Sequence, residues 1–199
     1  MKKIVVVLAI VATLSSLGST VYAAQDSLPG DALYPVKLGI ERMAMMLRGN
    51  DVPRAERALS FADKRVGEMV ALTEKGRSED LGLTVEKYCY TLNATLARME
   101  KVFSKGGPHA GEIAMLVAQT TAEHLSTLNE LYDIVPDEAK PAIQRAMEEA
   151  LKCYQRAIQV QEELGLQVSG LVTIPATIRE RVEQWIQESA EVGLTEVGQ

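Results

Sequence analysis

Two histidines and two cysteines carry most of the side-chain chemistry open to this sequence. His109-Ala110-Gly111-Glu112 sets an imidazole and a carboxylate one helical turn apart, a pair that can ligate a metal. The same pattern also suits a helix start, where Glu112 faces the positive end of the dipole. His124, beside Glu123, falls on an apolar helix face and reads as a hydrogen-bonded core residue before it reads as a ligand. A two-metal helical bundle needs Glu-x-x-His on each of two helices, and the chain has none. His109, Glu112 and His124 are therefore the only metal candidates, and neither a metal nor a cofactor is expected.

Cys89 and Cys153 leave two readings open. In an exported chain a disulfide would close a long loop and stabilise by about 4 kcal/mol. In an up-and-down bundle, however, their two helices run parallel and the residues differ in height by roughly 8 Å. Bridged Cα atoms sit at most about 7 Å apart, so a bond requires a stagger, and two buried thiols are the alternative. No Gly-x-Ser-x-Gly elbow, Walker loop, Gly-x-Gly-x-x-Gly or His-Glu-x-x-His occurs, so no catalytic residues are assigned and the chain is read as a non-enzyme. Met43, Met45 and Met46 are read as gap-filling core rather than an adaptable partner patch. Asn93-Ala94-Thr95 matches a glycosylation sequon but falls mid-helix.

The elements that must position these residues are helices. Pro35 suits the first position of a helix reaching about Arg48. Asp51 is expected to cap a second, with Pro53 in its first turn, ending near Lys75-Gly76. Ala55, Leu59, Ala62, Val66, Met69 and Thr73 form its seam, in alternating steps of four and three. Ser78 would cap a third helix, with seam Leu81, Val85, Tyr88, Leu92, Leu96, Met99 and Phe103, stopped by Gly106-Gly107. Pro108 opens a fourth, along Ile113, Val117, Thr121, His124, Leu128, Leu131 and Val135. Asp137 caps a fifth, along Ile143, Met147, Ala150, Tyr154, Ala157, Val160 and Leu164. After a loop at 165–173, Thr177 and Glu180 fit a capping box for a short last helix, and the tail 191–199 should fray. Links this short make successive helices antiparallel. The expected fold class is all-α: an up-and-down bundle of long helices with a short helix at each end.

The first 23 residues are read differently. Lys2 and Lys3 precede an apolar run from Ile4 to Leu17, and Val21-Tyr22-Ala23 follows Gly18-Ser19-Thr20. That is the layout of a secretory signal peptide cleaved after Ala23. The apolar run falls short of the roughly 20 residues of a permanent span, so no stable membrane anchor is expected after cleavage. Residues 24–199 would form one all-α domain. Cleavage removes two lysines and no acid, leaving 19 basic against 27 acidic residues and a formal charge of −8. That balance disfavours nucleic acid, which needs a basic face.

Leu28-Pro29-Gly30-Asp31-Ala32-Leu33-Tyr34-Pro35-Val36-Lys37, with Glu41 one turn on, resembles the opening of an uncharacterised bacterial family of exported helical domains, domain of unknown function 5667. Arg54-Ala55, Leu59, Ala62, Arg65 and Gly76-Arg77 extend the likeness, which is best over about residues 28–77 within a family-like segment reaching about 105. The resemblance implies export, a helical fold and bacterial origin, and carries no catalytic residues. Physically, the opening reads as an anchor for the first helix, with Leu33 and Tyr34 pinned and Lys37 and Glu41 as exposed neighbours.

Together these features give an exported, soluble, periplasmic or extracellular domain that acts in interaction or as a structural element of the cell envelope. Its partner would be an unidentified protein or a second copy of itself. A carrier holding a small ligand or metal in the bundle interior is the alternative.

Overall fold

The computed structural model describes residues 24–46, 50–166 and 173–196. The expected signal peptide, its cleavage point after Ala23 and the last three residues of the tail lie outside the described residues. The chain divides into two compact units, Met1–Arg48 and Gly49–Gln199.

In the first unit the Pro-Gly-Asp stretch ties a compact knot. Gly30 takes a left-handed φ of 85°, which a side chain would resist. The Leu28 amide donates to Asp31 Oδ2 at 2.7 Å, while the Asp31 amide returns a bond to the Leu28 carbonyl. Helix α1 (Tyr34–Met46) follows. Lys37 is buried rather than exposed: its Nζ donates to the Ser27 carbonyl at 3.0 Å and lies 5.9 Å from the centre of the Tyr34 ring. An ammonium can be buried when backbone oxygen and an aromatic face replace its water. The Glu41 carboxylate likewise has a buried oxygen. Met43 and Met46 are 63% and 71% exposed, so they do not fill the core as expected.

The second unit is a bundle of helices α2 (Asp51–Glu74), α3 (Leu81–Ser104), α4 (Ala110–Ile134) and α5 (Lys140–Glu163), with α6 (Ala176–Glu196) against its outside. The four long helices have 24 or 25 residues each, so their seams match end to end. Gly76 and Gly106 stop α2 and α3 with φ of 66° and 62°. In each stop the amide after the glycine reaches back to a carbonyl five residues earlier: Arg77 to Leu72, and Gly107 to Val102. The same backward bond, Leu166 to Gln161, closes α5. Pro136 ends α4 instead by holding Val135 extended.

The helix starts differ in detail from the expected caps. Ser78–Asp80 and Asp137–Ala139 are single 3-10 turns ahead of α3 and α5. Asp80 pairs with Arg77 at 2.7 Å and Asp137 with Lys140 at 2.6 Å, and the residues at the starts of α3 and α5, Asp80 and Ala139, make no side-chain capping bond. Asp51 is the first residue of α2, and Asn50 is its N-cap. Thr177 lies inside α6, which runs to Glu196 instead of fraying at 191. One interior glycine, Gly193, costs only about 1 kcal/mol and does not by itself end a helix.

Cross-helix bonds give the topology. Arg156 of α5 pairs with Glu100 of α3, at matching distances along parallel helices. Gln161 near the end of α5 bonds Gly111 at the start of α4, as antiparallel neighbours do. Thus α3 and α5 lie side by side, as do α2 and α4, while α3 and α4 face each other across the core. With neighbouring axes about 8–10 Å apart, that diagonal is about 14 Å, which the five-residue turn 105–109 can span at roughly 3.3 Å per residue. Every seam residue expected on α4 is buried, as are Leu81, Val85, Tyr88, Leu92 and Met99 of α3. On α6, Ile178 and Val182 are buried, and Trp185 stacks on Tyr132 with ring centres 4.7 Å apart.

Leu125, in the middle of α4, is fully enclosed. In urea unfolding, Leu125→Ala should lower stability by roughly 2–5 kcal/mol, and Met43→Ala on the exposed face of α1 by no more than about 0.5 kcal/mol. Equal small losses would contradict this core.

Candidate functional site

At mid-height in the bundle a polar chain crosses three helices. Asp63 of α2 lies 2.7 Å (Oδ1) from His124 Nε2 on α4, and His124 Nδ1 lies 3.1 Å from the Tyr88 hydroxyl on α3. A carboxylate only accepts, so Nε2 carries the proton; in the neutral ring Nδ1 then accepts from the phenol. The Tyr88 and His124 rings meet edge to face, with centres 5.4 Å apart. Tyr88 is fully buried, and burial first, then the nearby thiols, push its hydroxyl well above its ordinary pKa, so it stays a donor. The Asp63 side chain is 60% exposed, which leaves the carboxylate hydrated at the outer end.

The two cysteines are free, buried thiols on the adjacent helices α3 and α5. Burial, followed by the Glu149 carboxylate, raises Cys89 to about 11 and Cys153 to about 12. Reactive cysteines need the reverse, a lowered pKa beside a base or cation. His124 cannot supply that base, because both its ring nitrogens are engaged.

His109 and Glu112 come together, Nδ1 3.2 Å from Oε2, on the exposed first turn of α4. His124 is not brought to them, and among the described residues no group of three His, Cys, Asp or Glu could hold a metal ion. Asn93 and Thr95 of the sequon are bonded into their own helix, to the carbonyls of Cys89 and Thr91.

Two polar features escaped the sequence. Arg65 and Glu68 form a buried pair on α2, with Nη1 2.6 Å from both carboxylate oxygens. Arg65 stands one heptad from Ala58 and from Leu72, and a charge at that register was the available sign. The second is a recess of about 510 Å³ where the start of α2 meets the end of α3. Arg54 reaches it from α2, and Arg98 and Lys101 from α3, with Lys105 just past its end; Ala94 and Ala97 also line it. Asp51 is the one acid there, 3.9 Å from Arg98. Antiparallel packing brings these cations together from positions far apart in sequence.

The family model for a domain of unknown function, DUF5667, matches residues 26–138, more than half of the chain. The chain belongs to this family. The DUF5667 match runs well beyond the expected 105, from the Pro-Gly-Asp knot to the 3-10 turn before α5. It contains Asp63, Tyr88, His124 and the whole recess, whereas Cys153 and α6 lie outside it. No curated protein and no solved structure matches the chain.

The thiols provide a direct check. With pKa values near 11 and 12, less than about one part in a thousand is thiolate at pH 8. Because the folded chain holds these protons more tightly than the unfolded one, this contribution to stability is intact below about pH 9 and declines as pH rises toward 11–12. Iodoacetamide at pH 8 should label neither thiol in the native protein and both after denaturation without reductant. Absence of labelling after denaturation would show a bridge.

Proposed function

We propose that this DUF5667 chain is an exported helical domain of the bacterial cell envelope that works by binding through its surface and carries out no reaction. The observation that carries the proposal is the state of the bundle centre. Leu125, Leu128, Ile143, Met147 and Leu151 fill it with no accessible surface, and its histidine already has a partner at each ring nitrogen. An interior so occupied supports neither a carried ligand nor an acid–base site, both of which need space and a free polar group. Recognition then falls to the outside of the molecule, where the basic recess lies. Export is supported by the basic start and apolar run of the first 23 residues. No helix among the described residues is long and apolar enough to cross a membrane.

The test is to express the full chain in a bacterial host and weigh the product of the extracytoplasmic fraction intact. Its mass should correspond to a chain beginning at Ala24, and native mass spectra taken after high-salt dialysis, which strips anions held at the surface, should show no retained small molecule. A product that keeps Lys2 and Lys3 in the cytoplasm or membrane would overturn export. A stoichiometric small ligand that survives until unfolding would overturn surface action in favour of an interior carrier.

A further inference from the structure

We propose that the recess between α2 and α3 is a binding site for a small oligophosphate, an anion of two or three linked phosphates. The proposal rests on the reading of the chain as a surface-binding domain and gives that surface a ligand class.

Charge is the first argument. The whole chain has a formal charge of −6, yet this recess gathers four cations against one acid. Asp51 accounts for Arg98; Arg54, Lys101 and Lys105 have no ion-pair partner among the described residues. Lys101 and Lys105 lie at the end of α3, where a cation also complements the helix dipole. Arg54 lies in the first turn of α2, where its charge faces the positive end of the dipole and is unfavourable without an anion.

Shape and donor type narrow the ligand. Two guanidinium groups, Arg54 from α2 and Arg98 from α3, offer paired N–H donors that match phosphate oxygens. A volume of about 510 Å³ exceeds what one ion needs and is in the range of small-ligand sites. No aromatic side chain lines the recess, so it lacks the stacking platform that nucleobases use, and the phosphates themselves must supply the affinity. Residual positive charge of about three favours a multiply charged anion over orthophosphate or sulfate. Gly107 closes one side: a Cβ there would sit 2.7 Å from Val102 Cγ1 and 3.0 Å from its carbonyl oxygen, so the wall cannot thicken without moving.

Calorimetric titration of the exported protein with inorganic tripolyphosphate tests the site, with sodium sulfate at equal ionic strength as the competitor anion. One tripolyphosphate should bind per chain, at least tenfold more tightly than sulfate. Arg54→Gln and Arg98→Gln should each weaken it tenfold or more, and the exposed pair Lys101→Gln/Lys105→Gln, which leaves the core untouched, by a comparable factor. Lys64→Gln, on α2 away from the recess, should leave affinity unchanged. Circular dichroism of every variant confirms folding. Absence of binding, equal affinity for sulfate, or affinity insensitive to the folded recess variants would overturn the site. Those outcomes are independent of where the chain is exported and of whether its interior carries a ligand.

Discussion

Asp63, His124 and Tyr88 set the condition that the rest of the bundle obeys. A buried phenol and a buried imidazole each cost about 1–3 kcal/mol if left without a partner. Three helices must therefore stand at one rotation and one height, so that the phenol meets Nδ1 while Nε2 reaches a carboxylate at the solvent edge. Apolar seams alone would tolerate sliding, since Ala, Leu and Met pack acceptably in neighbouring registers. The polar chain removes that freedom across α2, α3 and α4, and the Arg156–Glu100 pair ties α5 to α3 further down.

That same condition explains why the centre is poor ground for chemistry. A histidine that is fully hydrogen-bonded has no lone pair for a metal and no vacancy for a substrate proton. The two thiols near Tyr88 are held protonated by burial and by the Glu149 charge. Under the proposed function, recognition falls to the surface. The meeting of the α2 start and the α3 end gathers like charges that the fold itself does not neutralise. Structural residues tend to satisfy one another, and unsatisfied charge in a recess is the kind of feature a ligand completes.

Much of this was legible in the residues. The seams of α2 to α5 follow from their steps of three and four, and the stops at Gly76, Gly106 and Gly165 from the need for a left-handed backbone or a chain break. The Pro-Gly-Asp opening announced a turn, and the family match extends it through α4. Other features depend on distance in space. Asp63 looks like any surface carboxylate until α4 brings His124 to it, and no spacing rule joins residues 61 apart. Lys37 read as a solvated face because the partner that buries it, the Ser27 carbonyl, is a backbone atom invisible to side-chain patterns. The expected caps Ser78 and Asp137 instead begin 3-10 turns, and Asp137 pairs with Lys140 three residues on. The recess combines two residues of α2, Asp51 and Arg54, with a face of α3, so it exists only once the hairpin has closed.

The central claim, that a polar chain at the core is spent on holding the helices in register, is tested most directly by a double-mutant cycle in urea on Tyr88→Phe and His124→Leu. Each single change strands a buried partner and should cost about 1–3 kcal/mol, while the double change removes both groups together. The double variant should therefore be more stable than the sum of the singles implies by at least about 1 kcal/mol. Losses that add to within about 0.3–0.5 kcal/mol would show that the two side chains do not act as one unit, and would contradict the account.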